Sequence, residues 1–193
     1  MQAIVLIGGF GTRLRPLTYE VPKQLIPIAG QPMLYHALDV LPSEVDRAVF
    51  ATGYKADVIA AYVRAHPHPR IAVRTVAEDE PLGTGGAMRN AGDGIGDPFL
   101  LLNSDVISDV DVASLLAFHR SKGAYGTMFL HEVDDTRPYG VAALDPNDRI
   151  ERFVEKPEPE AAPSHWINAG VHVWAESVLE EIPRGPAVSL ERE

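Results

Sequence analysis

The sequence predicts an α/β fold: a doubly wound, mostly parallel sheet covered by helices, with a small β-hairpin extension, all in one domain over 1–193. Three observations carry this. Apolar runs bounded by Gly, Pro, Asn or Asp alternate with segments of helical period over roughly the first 135 residues. The run Phe99-Leu100-Leu101-Leu102 is continuously apolar, as a central strand buried on both faces should be. Beyond about residue 137 the texture changes, and two short apolar runs flank the polar turn Asp145-Pro146-Asn147-Asp148.

Taken in order, strands are expected at 3–7, 47–52, 72–77, 99–102 and 126–132, where apolar and β-branched residues sit between turn formers. Helices fall between them, at about 32–41, 56–66, 85–91 and 112–121. The runs 140–144 and 150–154 form the hairpin. The stretch 155–163 carries three prolines, so helix is not expected there. A strand over 166–174 and a short helix over 176–182 follow, with Trp166 and Trp174 as strand core residues. Whatever follows the carboxyl end of the Phe99 strand is well placed to be a site.

Composition narrows the function. With 46% hydrophobic residues, 193 residues can bury one substantial core. The 17 Lys and Arg against 27 Asp and Glu give a net charge of −10, which argues against nucleic-acid binding. No apolar run approaches the roughly 20 residues of a membrane span, and the N-terminus lacks the pattern of a secretory leader. A cytoplasmic protein without a membrane partner is therefore expected. The absence of cysteine removes thiolate nucleophiles and cysteine zinc sites, so a metal here needs oxygen or imidazole ligands. His66-Pro67-His68 has no nearby carboxylate and reads as a solvated loop.

Residues 5–27 put an apolar strand, a glycine loop, Arg13 and Lys23 into one short stretch. Gly8, Gly9 and Gly11 allow sharp turning and bring backbone N–H groups against phosphate oxygens. Arg13 and Lys23 can neutralise the charge, or they are surface cations on a loop. The spacing is neither that of the P-loop nor Gly-x-Gly-x-x-Gly, because Leu14 stands where the third glycine belongs.

Gly8-Gly9-Phe10-Gly11-Thr12-Arg13-Leu14-Arg15-Pro16-Leu17-Thr18, followed by Pro22-Lys23, resembles the signature of the sugar-1-phosphate nucleotidyltransferases. Further matches in order are Glu78 to Gly86, Asn103-Ser104-Asp105, Tyr139-Gly140-Val141, Phe153 to Pro157 and Ile167 to Val171. The segment Ile182 to Glu193 adds a likeness to bacterial mannose-1-phosphate guanylyltransferases. The resemblance implies a Rossmann-like core in which a sugar 1-phosphate attacks the α-phosphorus of a nucleoside triphosphate and expels pyrophosphate. Its nucleotide-binding half is about 1–135 and its sugar-phosphate half about 136–193. Such chemistry runs on electrostatics and orientation.

The resemblance assigns Thr12, Arg13 and Lys23 to the triphosphate and Asp105 to Mg²⁺, a hard cation suited to carboxylate. Ser104 departs from the family's usual Asn-Gly-Asp but leaves the ligand in place. Glu78 stands where thymidylyltransferases tend to have Gln; a carboxylate accepts from both guanine N1–H and N2–H, which favours GTP. It can equally be a solvated acid beside Asp79 and Glu80. Gly83, Thr84, Gly85 and Gly86 would let the backbone approach the base. Lys156 would hold the sugar phosphate, with Glu155, Tyr139, Gly140 and Asn168 completing the sugar pocket. Asn168 is expected there both to donate to hydroxyls and to accept from them.

Asp109-x-Asp111 imitates the metal signature of nucleotide-sugar glycosyltransferases, but Asp111 immediately before 112–116 reads more simply as a helix cap. The family's second metal-binding aspartate would lie beyond Glu193, so a fragment is expected. The implied reaction is GTP plus mannose 1-phosphate giving GDP-mannose. Guanylyl or thymidylyl transfer to heptose or glucose 1-phosphate is the alternative, as is a catalytically silent nucleotide-sugar sensor. Homo-oligomerisation is left open.

Overall fold

A computed structural model describes residues 1–191. Its main sheet has eight strands. β1 (Gln2–Ile7) pairs in parallel with β4 (Arg47–Thr52) on one side and β6 (Phe99–Asn103) on the other, and β5 (Ala72–Ala77) extends the parallel set beyond β4. A separate two-strand ribbon joins β2 (Pro27–Ile28) to β3 (Gln31–Pro32). The helices α1 (Met33–Asp39), α2 (Ala56–Ala65), α3 (Gly83–Ala91), α4 (Val112–Lys122) and the short α5 (Val178–Glu181) cover the sheet.

The C-terminal part is antiparallel. β10 (Trp166–Trp174) runs against β6, β7 (Gly126–Glu132) and β8 (Gly140–Leu144), and β8 closes a hairpin with β9 (Ile150–Glu155). Six of the eight strands still point one way, since β7 and β8 both oppose β10, which itself opposes β6. The expected mostly parallel sheet and its hairpin are therefore present. The hairpin turn is fixed by Asp145, whose Oδ1 accepts the N–H groups of Asn147 and Arg149, each at 2.8 Å.

Strand alternation fills two cores. Val5, Ile7, Leu100 and Leu102 face one layer with Leu34, Leu38, Ile59 and Leu116, whereas Ile4, Phe99 and Leu101 face the other with Met88, Ala91 and Leu179. Burial on both faces explains the unbroken apolar β6. Element ends shift by a residue or two from expectation, and α3 begins earlier, at Gly83. Three 3₁₀ turns at Thr12–Leu14, Leu17–Tyr19 and Lys23–Leu25 were not foreseen, and a fourth, Pro159–Ala161, sits in the proline-rich loop. Short 3₁₀ turns leave no periodic apolar pattern to read. Trp174 packs on the second core, while Trp166 is 38% exposed and so is not the core residue expected.

Candidate nucleotide and sugar-phosphate site

A cleft of about 670 Å³ opens at the carboxyl ends of β1, β4, β5 and β6. That is where ligands collect in open α/β sheets, because the loops leaving parallel strands diverge there. Gly8 and Gly9 form one wall, Glu78, Gly83 and Thr84 another, and Asp105 the third.

The glycine loop is held from beneath by two buried polar residues. Thr18 Oγ1 donates to the Gly11 carbonyl and Gln24 Nε2 to the Gly8 carbonyl, both at 2.8 Å. Each residue is only 2% exposed. Gly11 has φ of 61°, and a Cβ there would lie 2.8 Å from Thr18 Cγ2. Glycine is thus required at this position by both backbone conformation and space. Lys55, itself at φ 54°, ties the end of the loop down by donating to the carbonyls of Tyr19 at 2.6 Å and Glu20 at 2.8 Å. Sequence reasoning missed Gln24 and Lys55, whose roles depend on contacts that leave no local trace. Thr18 closes the Gly8–Thr18 signature, and its role there comes from the structure.

Lys23 and Asp105 meet across the mouth. Lys23 Nζ donates to Asp105 Oδ2 at 2.7 Å, although the two are 82 residues apart in sequence. The Asp105 side chain is 47% exposed, so this pair is open to solvent and to displacement by a stronger partner. Thr12 and Arg13 are exposed on the adjoining turn.

Glu78 continues β5 with its N–H on the Thr52 carbonyl at 2.8 Å, and its Oε2 accepts the Leu82 N–H at 2.9 Å. Burial raises its carboxyl pKa, an effect that the Leu82 hydrogen bond opposes. The carboxyl is therefore not a fully solvated surface acid. The α3 glycines serve a second purpose beside the cleft: the N–H groups of Gly85 and Gly86 donate to the Val188 carbonyl at 2.9 and 3.3 Å. A Cβ on Gly83, at φ 72°, would collide with that same carbonyl. Thr84 lines the cleft while its Oγ1 accepts the Leu190 N–H at 3.0 Å.

Tyr139, Gly140, Glu155 and Lys156 gather at the open end of the β8–β9 hairpin. Gly140 is in register with Glu155, and the Lys156 N–H donates to the Tyr139 carbonyl at 2.9 Å. Lys156 Nζ lies 3.5 Å from Glu155 Oε1. These residues do not line the cleft. The two halves instead adjoin where β10 bulges between Asn168 and His172, seating Gly170 against Asn103. Asn168 sits at this junction, with its carbonyl oxygen accepting from both Gly170 and His172. Both contacts are made within the protein, so the Asn168 oxygen is engaged without a ligand.

Asp111 is a helix cap. Its carboxylate accepts the Ser114 N–H at 3.1 Å and the Ser114 hydroxyl at 2.7 Å, which holds its pKa below the usual carboxylate range. Among the described residues no three His, Asp or Glu side chains cluster as a ready metal site. His68 is used structurally, its Nδ1 accepting the N–H groups of Arg70 and Ile71 at 3.3 and 3.1 Å. Among the described residues no helix is long and apolar enough to cross a membrane.

Residues 2–192 match the nucleotidyl transferase family. The chain belongs to that family. It is 41% identical over 200 residues to a probable mannose-1-phosphate guanylyltransferase 1 of Oryza sativa subsp. japonica, covering all of this chain and 55% of the relative. It is also 41% identical over 195 residues to the mannose-1-phosphate guanylyltransferase of Mycobacterium tuberculosis, again over all of this chain and 54% of the relative. The chain thus spans about half the length of the curated relatives it matches. Among solved structures, HddC from Yersinia pseudotuberculosis complexed with GMP-PN superposes with a TM-score of 0.82 at 29% identity, covering 98% of this chain and 83% of that one. A UDP-glucose pyrophosphorylase complexed with UDP-glucose gives 0.78 at 20% identity, over 93% of this chain and 77% of that one, a likeness of fold. Part of Ser189-Leu190-Glu191-Arg192-Glu193 falls outside the described residues.

Proposed function

We propose that the protein transfers a guanylyl group from GTP to mannose 1-phosphate, giving GDP-mannose and pyrophosphate. The observation that carries this reading is the locked glycine loop, with Lys23 beside it reaching Asp105 across the mouth of the cleft and Glu78 on the cleft wall. Relatives named as mannose-1-phosphate guanylyltransferases and the GMP-PN complex of a structural neighbour support the choice of substrates.

The loop amides of Gly8, Gly9 and Gly11 and the Thr12 hydroxyl would donate to phosphate oxygens. Arg13 and Lys23 would offset charge building on the leaving pyrophosphate, which requires Lys23 to exchange its bond to Asp105 for one to phosphate. Glu78 would accept from the guanine edge through the oxygen that Leu82 leaves available. Lys156 would hold the attacking phosphate while Glu155, Tyr139, Gly140 and Asn168 contact the sugar. Asp105 suits a divalent cation, Mg²⁺, because magnesium is commonly held by one or two carboxylates plus substrate phosphates. When bound, it would supply positive charge against those phosphates.

The test is pyrophosphate release by the protein with GTP, UTP and dTTP against mannose, glucose and heptose 1-phosphates. GTP with mannose 1-phosphate should give the highest kcat/KM. A pyrimidine preference would overturn the role of Glu78, and GDP-mannose binding without turnover would replace the enzyme with a sensor.

A further inference from the structure

Asn168 is committed at both ends of its amide. The Gly170 N–H reaches Oδ1 at 2.8 Å, and because a backbone N–H can only donate, this contact settles which end is oxygen. His172 Nε2 lies 2.9 Å from the same oxygen and so must carry the ring proton. Its Nδ1 is then bare, and that atom is buried with no hydrogen-bond partner. Burial also holds the imidazole neutral, pushing its pKa down to about 4. At the other end of the amide, Nδ2 donates to Glu191 Oε1 at 2.7 Å.

Glu191 arrives there on a segment laced to the nucleotide half. The Val188 N–H donates to the Leu82 carbonyl at 2.8 Å, the Val188 carbonyl accepts from Gly85, and the Leu190 N–H reaches Thr84 Oγ1. The place of the Glu191 carboxylate is thus set by the same α3 N-terminus whose Leu82 holds Glu78.

We propose that His172 and Glu191 are positioning residues that lock Asn168 as a hydrogen-bond donor, so that its remaining Nδ2–H is offered to an acceptor oxygen of the sugar. This rests on the reading that the β8–β9 hairpin and β10 take the sugar 1-phosphate. With Oδ1 occupied twice and one Nδ2 proton given to Glu191, Asn168 has a single direction left in which to bond. Without His172 or Glu191 only part of this set still orients the amide, and its Nδ2–H is no longer held in one direction.

Two measurements on the protein test this. Ring ¹⁵N shifts should report His172 as the Nε2–H tautomer near neutral pH, and the Asn168 side-chain NH₂ signal should shift in E191A more than in E191Q. In steady state, E191A should raise the KM for mannose 1-phosphate about tenfold, the scale of one charge-assisted hydrogen bond, with kcat and the KM for GTP within about twofold. E191Q should recover most of that loss, since an amide oxygen still accepts from Nδ2. Glu191 is partly exposed, so both variants should fold. An Nδ1–H tautomer, an equal rise in the KM for GTP, or an E191Q no better than E191A would overturn the proposal. Absence of turnover with every sugar 1-phosphate would instead remove the functional reading, and the sugar role with it, while the NMR result would still decide whether Asn168 is locked.

Discussion

The two halves of the proposed site, one for the nucleotide and one for the sugar phosphate, are built differently. In the nucleotide half the loop is clamped before any ligand arrives: Thr18 and Gln24 are buried beneath it, Lys55 pins its end, and Gly11 stands at a positive φ with Thr18 packed where a Cβ would go. In the sugar half the charged groups stand on an exposed hairpin, and Lys156 adopts φ of 46° with its side chain 56% exposed. A lysine in that conformation costs on the order of 1 kcal/mol, so its placement is imposed by the turn into Pro157 and the bond to Tyr139 rather than by packing. Asn168 is anchored as firmly as the loop. The contrast suits a reaction in which the triphosphate must be gripped along its length while the acceptor sugar is met by a few polar groups.

The largest expected effect lies at the seam between Lys23 and Asp105. Lys23→Ala and Asp105→Asn should each lower kcat/KM by about 10²–10³, the loss typical of removing one preorganised charge-stabilising group. Because the pair is solvent-exposed, melting temperature should move little. A fall in melting temperature as large as a core deletion gives, with kcat retained in the remaining folded protein, would make the pair structural and erase the distinction between a gripping half and a presenting half.

How much of this was legible follows from which forces leave a local trace. The order of strands and helices, the two-faced burial of β6 and the Asp145 hairpin were readable because periodicity and turn chemistry are short-range. The candidate site residues were nameable because glycines, Arg13, Lys23 and Asp105 carry their chemistry in their type. The clamps were not: nothing in the local sequence says that Gln24 reaches the Gly8 carbonyl, or that Val188 docks against Gly85 more than 100 residues earlier in the chain. The same applies to Asn168, whose partners, His172 and Glu191, are set by a β-bulge and a returning segment.

The sugar half should show itself next as a loss of stability on acidification. Folding lowers the His172 pKa from 6.5 to about 4, through burial. The unfolded chain therefore takes up the proton first. Stability should be whole above about pH 6.5 and fall as pH drops towards 4, by up to about 3 kcal/mol if no other group compensates. Urea unfolding of the wild type and of His172→Gln across that range should diverge, the wild type losing stability more steeply. Parallel curves would mean that water reaches the ring, and that β10 is no more rigid at this point than the hairpin beside it.

The smallest effect belongs to Glu78, and its sign is opposite. Burial raises its folded pKa above 4.5, so the neutral acid is the better-tolerated form in the folded protein. Its contribution to stability is whole below the unfolded pKa and declines as pH rises through the folded one. Glu78→Gln keeps an oxygen for the Leu82 N–H and removes the buried charge, so the variant should be slightly more stable than wild type near pH 7, with the gap closing below about 4.5. The same change should lower selectivity for GTP over UTP, because the single amide oxygen stays with the Leu82 N–H and an NH₂ group, which cannot accept, then meets the guanine donors. Stability gained together with selectivity lost would identify Glu78 as a charge kept for binding at the expense of folding. Unchanged selectivity would confine its role to holding Leu82, and the nucleotide half would then owe its base preference to the shape of the cleft.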